Sequence, residues 1–377
     1  MTARIYLDNN ATTGLDPRVL EAMLPELSLV PSNPSSTHSF GQEARKRLLK
    51  ARETLASFFR VKPHEVIFTS GGTEAMNLLI HGILEPPFTG HVITSDVEHS
   101  CVDKALKAYA QKGVPITFVP VGLWGAVRPE AIEEAIRSDT RAIILSAVNN
   151  ETGVKIDLNA IAEIADRAKI PLIIDGVCLV GKELFDLPPA VLGLGASAHK
   201  FHGPKGVGFA IVRSSLKLSP LFVGGDQEYQ KRAGTENLPG IVGLAKAIEL
   251  LNEEMPQASL RMRTLRENFE KQLMQRLDPV IINGAGPRIC NTSNLAFRDV
   301  QGEDLLMLLD LNGVAASHGS ACSSGALEPS RVLTQMGIPH SLAKASIRFS
   351  LSRFTTQEEM ERCTEILVKI VTKLRNL

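Results

Sequence analysis

The chain has 377 residues, 44% hydrophobic and 22% charged, the proportions of an ordinary globular protein with room for more than one domain. Acidic and basic residues balance at 41 each, which leaves no basic field for nucleic acid and no polybasic arm for a membrane surface. No run approaches the roughly 20 apolar residues of a membrane span. The opening MTARIYLDNNATTGLD reaches polar residues at once, unlike a secretory leader, so a cytoplasmic location is expected.

In chain order, EVIFTS (65–70), HVITS (91–95), ITFVPV (116–121), RAIILSAV (141–148) and PLIID (171–175) read as strands. They are continuous apolar runs, as parallel strands covered on both faces should be. Between them MNLLIHGIL, HSCVDKALKAYAQ, PEAIEEAIRS and LNAIAEIADRAK carry apolar residues at helical spacing, the last preceded by the N-cap Asp157. This alternation predicts a doubly wound, mostly parallel α/β domain, with ligands gathering at the carboxyl ends of its strands. After Pro239 a long helical stretch begins, and Pro256 is expected to interrupt it at a hinge. Beyond it, VIING, TSNLAF and SIRFSLS as strands, with GEDLLMLLDLNG and TQEEMERCTEILVKIVTKL as helices, predict a smaller α+β domain. The expected division is 15–257 and 258–377, with segment 1–14 packing near the second part.

The residues that follow the strands carry the chemistry. Ser70-Gly71-Gly72-Thr73-Glu74 joins a strand to a helix, where glycines allow close backbone approach and free N–H groups suit a phosphate, although many such turns bind nothing. The segment from Ser197 to Gly206 lies between VLGLGA and VGFAIV, in a loop at a sheet edge. Ser197 and His199 can bond phosphate oxygens there. Lys200 is placed to be desolvated, which frees an amine for a Schiff base. Asp175 ends an apolar strand and needs a cationic partner, such as a pyridinium nitrogen. His99 follows a strand, either as a ring-stacking group or as a helix-start residue.

Five cysteines are scattered without the spacing of a zinc knuckle or redox pair, so no metal site is expected and reduced thiols are. Cys322 differs from the other four: His318 to Gly325 surrounds it with small residues, the composition of an exposed loop in which a thiol can act as a nucleophile. Arg348, inside an apolar strand, needs an anion, and a substrate carboxylate suits its planar fork.

Taken together, YLDNNATT (6–13), NPSSTH (33–38), TSGGTEAMN (69–77), VEHS (97–100), VNNETG (148–153), SAHKFHGPKG (197–206), RAGTEN (232–237), GSACSSGALEPS (319–330) and SIRFSLSRFTT (346–356) resemble, in order, the motifs of the NifS/IscS-type cysteine desulfurases. These belong to the class V aminotransferase superfamily of fold-type-I pyridoxal-phosphate (PLP) enzymes. The resemblance implies that Lys200 bonds the cofactor and that Gly72, Thr73, Ser197 and His199 bind its phosphate, with Thr235 reaching in from the other subunit of a homodimer. It further implies that His99 stacks on the ring and relays protons, that Asp175 pairs with the ring nitrogen, and that Asn150 and Arg348 hold the substrate carboxylate, with Asn150 also at the cofactor. Cys322 would then take sulfur from L-cysteine as a persulfide, for an iron–sulfur scaffold or a tRNA-thiolation relay protein, and release alanine. Neighbouring readings are a selenocysteine lyase-like enzyme and a weakly active homologue that serves as a binding partner in sulfur assembly. Two positions depart from the family pattern: Cys178 stands where a glutamine usually bonds the ring hydroxyl, and Asp226 where a third glycine is usual.

Overall fold

The computed structural model describes residues 4–27, 31, 33–85, 90–318 and 328–376. Twelve strands are found among them. In chain order they are β1 (Ile5–Tyr6), β2 (Val66–Thr69), β3 (His91–Ser95), β4 (Ile116–Val119), β5 (Thr140–Ser146) and β6 (Leu172–Asp175), then β7 (Val191–Ser197), β8 (Gly208–Val212), β9 (Val280–Ile282), β10 (Thr292–Phe297), β11 (Val314–Ala315) and β12 (Ser346–Ser350). The main sheet has seven strands in the order β2-β8-β7-β6-β5-β3-β4, and only β8 runs antiparallel to its neighbours.

The continuous apolar runs of this sheet divide by the pleat, since successive side chains point to opposite faces. Ile143, Leu145 and Ile174 pack on one side with Leu55 and Phe59 of the helix Ser39–Phe59 and Leu244 and Leu251 of the helix Leu238–Arg276. Ala142, Ile144 and Ile173 pack on the other with Met76 and Leu79 of the helix Gly72–Leu84 and Val102 and Leu106 of the helix Ser100–Gln111. The strands are therefore covered on both faces, as their composition requires. The loop from Ser197 to Gly206 joins two interior strands, β7 and β8, and so does not lie at a sheet edge.

Pro256 does not interrupt the long helix, which runs unbroken from Leu238 to Arg276. A proline inside a helix costs about 3 kcal/mol. Met255, Ala258, Met262, Phe269 and Leu273 are all buried along the stretch around and beyond it. At about 1.5–3 kcal/mol for each large apolar side chain, their burial outweighs that cost. A second sheet, β12-β10-β9, is antiparallel, and β1 pairs in parallel with β11. Leu7 accepts from the Ser350 N–H at 2.7 Å, which brings the N-terminal segment beside β12 and across the carboxyl ends of the main sheet. No helix among the described residues is long and apolar enough to cross a membrane.

Candidate active site

Four adjacent strand ends form a row. Ser197 ends β7, Asp175 ends β6, Ser146 ends β5 and Ser95 ends β3. The register pairs Ser146 with Asp175, so their side chains emerge on one face. A cavity of about 210 Å³ opens in front of the row. Gly72, Thr73, His99, Asn150, Asp175, Ser197, His199, Lys200 and Arg348 all line it, bringing together residues that the sequence scatters over almost 280 positions. A larger, more open groove of about 820 Å³ beside Trp124 and Phe185 contains none of them, so size alone does not mark the site.

Two expected residues stand apart. Thr235 is exposed and does not line the cavity of its own chain. Cys322 lies outside the described residues.

Lys200 is half-buried, and its ammonium donates to the carbonyls of Asn10 and Ala11, the latter at 3.1 Å. Lys182 is more deeply buried, at 2% exposed. Burial pushes the Lys182 ammonium down to about 8, and it donates to the Lys200 carbonyl at 2.8 Å. His99 meets its helix-start reading and also faces the cavity. It is the N-cap of the helix Ser100–Gln111, with Nδ1 accepting from the Cys101 N–H at 3.2 Å, and it lines the cavity. Burial lowers its imidazole from the usual value; the Asp175 charge opposes this, and Lys200 and Arg331 add to it.

Asp175 is 5% exposed. One carboxylate oxygen accepts from the Val177 N–H at 2.9 Å; the other has no hydrogen-bond partner among the described residues. Burial raises this carboxyl above its ordinary value, against the pull of Val177, His99 and Lys200. Behind it Glu98, also buried, accepts from Ser95 Oγ at 2.6 Å and from the Ser146 N–H and hydroxyl at 2.8 and 2.5 Å. Burial pushes Glu98 up to about 7 in spite of those bonds, with Asp175 adding to the rise.

Arg348 is 2% exposed on β12 and donates to Asp8 Oδ1 at 2.8 Å and to the Asn150 carbonyl at 3.0 Å. His199 is held down to about 4 by burial and nearby lysines, and its Nδ1 lies 3.1 Å from Thr12 Oγ1. Cys178 lines the cavity, so the departure from the glutamine pattern falls inside the site. Asp8, Asn10, Glu98, Cys101 and Ser146 were not singled out in the sequence. Asp8 and Asn10 stand in YLDNNATT and Glu98 in VEHS, so the motifs themselves were the available signal.

These residues fit a phosphorylated pyridine cofactor. A buried carboxylate with one unpaired oxygen calls for a cation, which a protonated ring nitrogen supplies. The first turn of the helix Gly72–Leu84 offers unpaired N–H groups to a phosphate. A Cβ at Gly72 would meet Val177 Cγ2 at 2.5 Å, so only glycine permits this close a turn.

Comparisons with known proteins agree. A family profile described as Aminotransferase class-V matches residues 5–363. "Cysteine desulfurase IscS" of Dictyoglomus turgidum is 42% identical, with 100% of this chain and 97% of that one covered. A solved structure titled "NIFS-LIKE PROTEIN" superposes with a TM-score of 0.90 at 34% identity, covering 99% of this chain and 100% of the other. Another, titled "SspA in complex with cysteine", gives a TM-score of 0.82 at 31% identity over 93% and 100% of the two chains.

Proposed function

Because the chain belongs to the class-V aminotransferase family, we propose that it is a PLP-dependent cysteine desulfurase that converts L-cysteine to L-alanine and loads the sulfur on Cys322. One observation carries the cofactor reading: the buried, half-satisfied carboxylate of Asp175 shares a small cavity with the only lysine among its lining residues, Lys200. When bound, PLP supplies an electron sink for negative charge at the substrate α-carbon.

The chain's own residues do the rest. Gly72, Thr73, Ser197 and His199 hold the phosphate, with Thr235 contributed across a homodimer. Asp175 would hold the ring nitrogen, and His99 would cover the ring and pass protons. Lys200 Nζ, steadied by the Asn10 and Ala11 carbonyls, would hold the cofactor and, once free, would take the substrate α-proton. Arg348, oriented by Asp8, grips the substrate carboxylate together with Asn150. The Cys322 thiolate attacks the substrate sulfur, the Cβ–S bond breaks, and its electrons remain with the three-carbon fragment, which is protonated and leaves as alanine. The persulfide then passes to an iron–sulfur scaffold or a tRNA-thiolation relay protein. The reduced thiols Cys101, Cys178, Cys290 and Cys363 agree with a cytoplasmic location. The two-domain division at 257/258, if kept, falls within the helix Leu238–Arg276, which then acts as a shared spine.

Incubation with PLP is expected to produce a visible absorbance band that borohydride removes in the wild type and that Lys200→Ala lacks. L-cysteine then yields alanine, and mass spectrometry finds the extra sulfur on Cys322. Full-rate desulfuration by Cys322→Ala would refute the persulfide assignment, and failure to develop any band would refute the enzyme reading. Equal turnover of selenocysteine by Cys322→Ala would mark selenium chemistry as independent of the thiol.

A further inference from the structure

We propose that in the cofactor-free chain His99, Cys101 and Asp175 bind a thiophilic divalent cation of the Zn²⁺ class, in competition with the cofactor. His99 and Cys101 come from the start of the helix Ser100–Gln111, and Asp175 from the end of β6. One donor atom from each lies within 4.8 Å of the others, and all three residues line the same cavity. His99 Nδ1 and Cys101 Sγ are already 3.0 Å apart.

Zinc bonds of about 2.0 Å to nitrogen and oxygen and about 2.3 Å to sulfur set tetrahedral donors roughly 3.5 Å apart. A small outward shift of His99 and Cys101, closure of Asp175 from up to 4.8 Å and release of His99 Nδ1 from the Cys101 N–H complete the site, with water as a fourth ligand. A nitrogen–sulfur–oxygen set suits zinc and disfavours magnesium or calcium, which take oxygen ligands.

The charges also balance. A thiolate and a carboxylate neutralise the dication, and the thiol proton leaves to solvent on binding. The nearest cations are occupied: Lys200 with the Asn10 and Ala11 carbonyls, and Arg331 with the Asp96 carbonyl at 2.6 Å and the Glu98 carbonyl. The positive end of the helix opposes the metal but favours the thiolate that holds it. Asp175 enforces the competition, because its unpaired oxygen serves either the metal or a ring nitrogen. Only this competition rests on the proposed function; binding of the metal does not.

The test uses the full-length chain carrying Cys322→Ala, which removes the thiol proposed to accept sulfur, after cofactor removal by dialysis. Zn²⁺ is titrated against a chromophoric chelator, and PLP is then added with and without stoichiometric Zn²⁺. The expected results are one competing Zn²⁺ per chain, slowed return of the visible band, and full recovery with EDTA. Cys101→Ala is expected to weaken Zn²⁺ by about 100-fold or more and to regain the band equally fast with or without metal. Cys178→Ala is expected to bind Zn²⁺ within a few-fold of its parent. Unchanged Zn²⁺ affinity in Cys101→Ala, loss in Cys178→Ala alone, or simultaneous occupancy by Zn²⁺ and PLP would overturn the proposal. Absence of the band even without metal would instead count against the cofactor reading, while the Zn²⁺ titration still decides this one.

Discussion

Asp16 and Asp175 are both almost completely withdrawn from solvent, at 0% and 5% exposure, yet their surroundings are opposite. Asp16 accepts from the Arg18 N–H at 2.9 Å and from Arg18 Nε and Nη2 at 3.0 and 2.7 Å, and Arg353 donates to it as well. Burial would raise its carboxyl, but these bonds and the two guanidiniums outweigh burial and hold it down to about 2. Asp175 has a single backbone donor and remains above its ordinary value. A saturated buried carboxylate belongs to the scaffold, where it ties the N-terminal segment to the turn after β12. An under-satisfied one costs folding free energy, and its presence in a cavity marks a ligand that completes it.

The largest expected effect tests the scaffold half of this contrast. Asp16→Asn removes one of the two carboxylates that face buried Arg353, leaving only Glu254 at 3.3 Å, and should cost about 3 kcal/mol of stability, read as a loss in urea midpoint, with PLP affinity little changed in the folded fraction. The wild-type contribution has a defined sign. The folded carboxyl lies below its unfolded value, so its stabilisation is complete above that unfolded value and drains away as pH falls toward 2. Asp175→Asn should do the reverse. Its amide oxygen still accepts from Val177 and no buried charge remains, so the cofactor-free protein should be as stable as wild type or more so. PLP affinity should fall by roughly 10- to 100-fold, the worth of about 1.5–3 kcal/mol for a hydrogen bond to a charged group. Equal destabilisation by both substitutions would erase the distinction.

Arg348 sharpens the contrast because it is intermediate. Its guanidinium is anchored by Asp8 and the Asn150 carbonyl yet still lines the cavity. Arg348→Lys preserves the charge but loses the planar fork. The KM for L-cysteine should rise roughly tenfold or more, for a loss of about 1.5 kcal/mol or more, with the PLP band unchanged. A change in the band without a change in KM would place Arg348 on the cofactor instead of the substrate.

Much of this site was legible because parallel sheets collect ligands at strand ends, so Asp175 at the end of PLIID and the loop holding Lys200 announced themselves through the apolar runs beside them. What stayed hidden depends on pairing across the chain. Asp8 gains its role from Arg348, 340 residues away, and no local pattern encodes that contact. Lys182 follows a glycine with no local pattern to single it out, and only the packing around it shows how deeply it is buried. Pro256 misled for the converse reason. Its local preference to stop a helix was genuine, and tertiary burial along the Leu238–Arg276 helix overrode it.

The smallest expected effect concerns Glu98, which belongs to neither class. It accepts three hydrogen bonds, as a scaffold carboxylate would, but all come from the neutral donors of Ser95 and Ser146. Burial therefore prevails, and its carboxyl is pushed up to about 7 with the Asp175 charge adding to the rise. A folded value above the unfolded one means that the folded chain holds the proton more tightly. The resulting stabilisation is present below the unfolded value near 4.5 and is lost as pH rises through about 7. Glu98→Gln keeps an oxygen for Ser146 and turns its amide toward Ser95, whose hydroxyl can accept, so the network survives without the charge. Melting temperatures of the two proteins should converge near pH 5. By pH 8 the variant should have gained on the order of 1–2 kcal/mol relative to wild type. Parallel melting curves across that range would show that Glu98 is ionised throughout, and the row of strand ends would then carry two adjacent negative charges facing the cofactor.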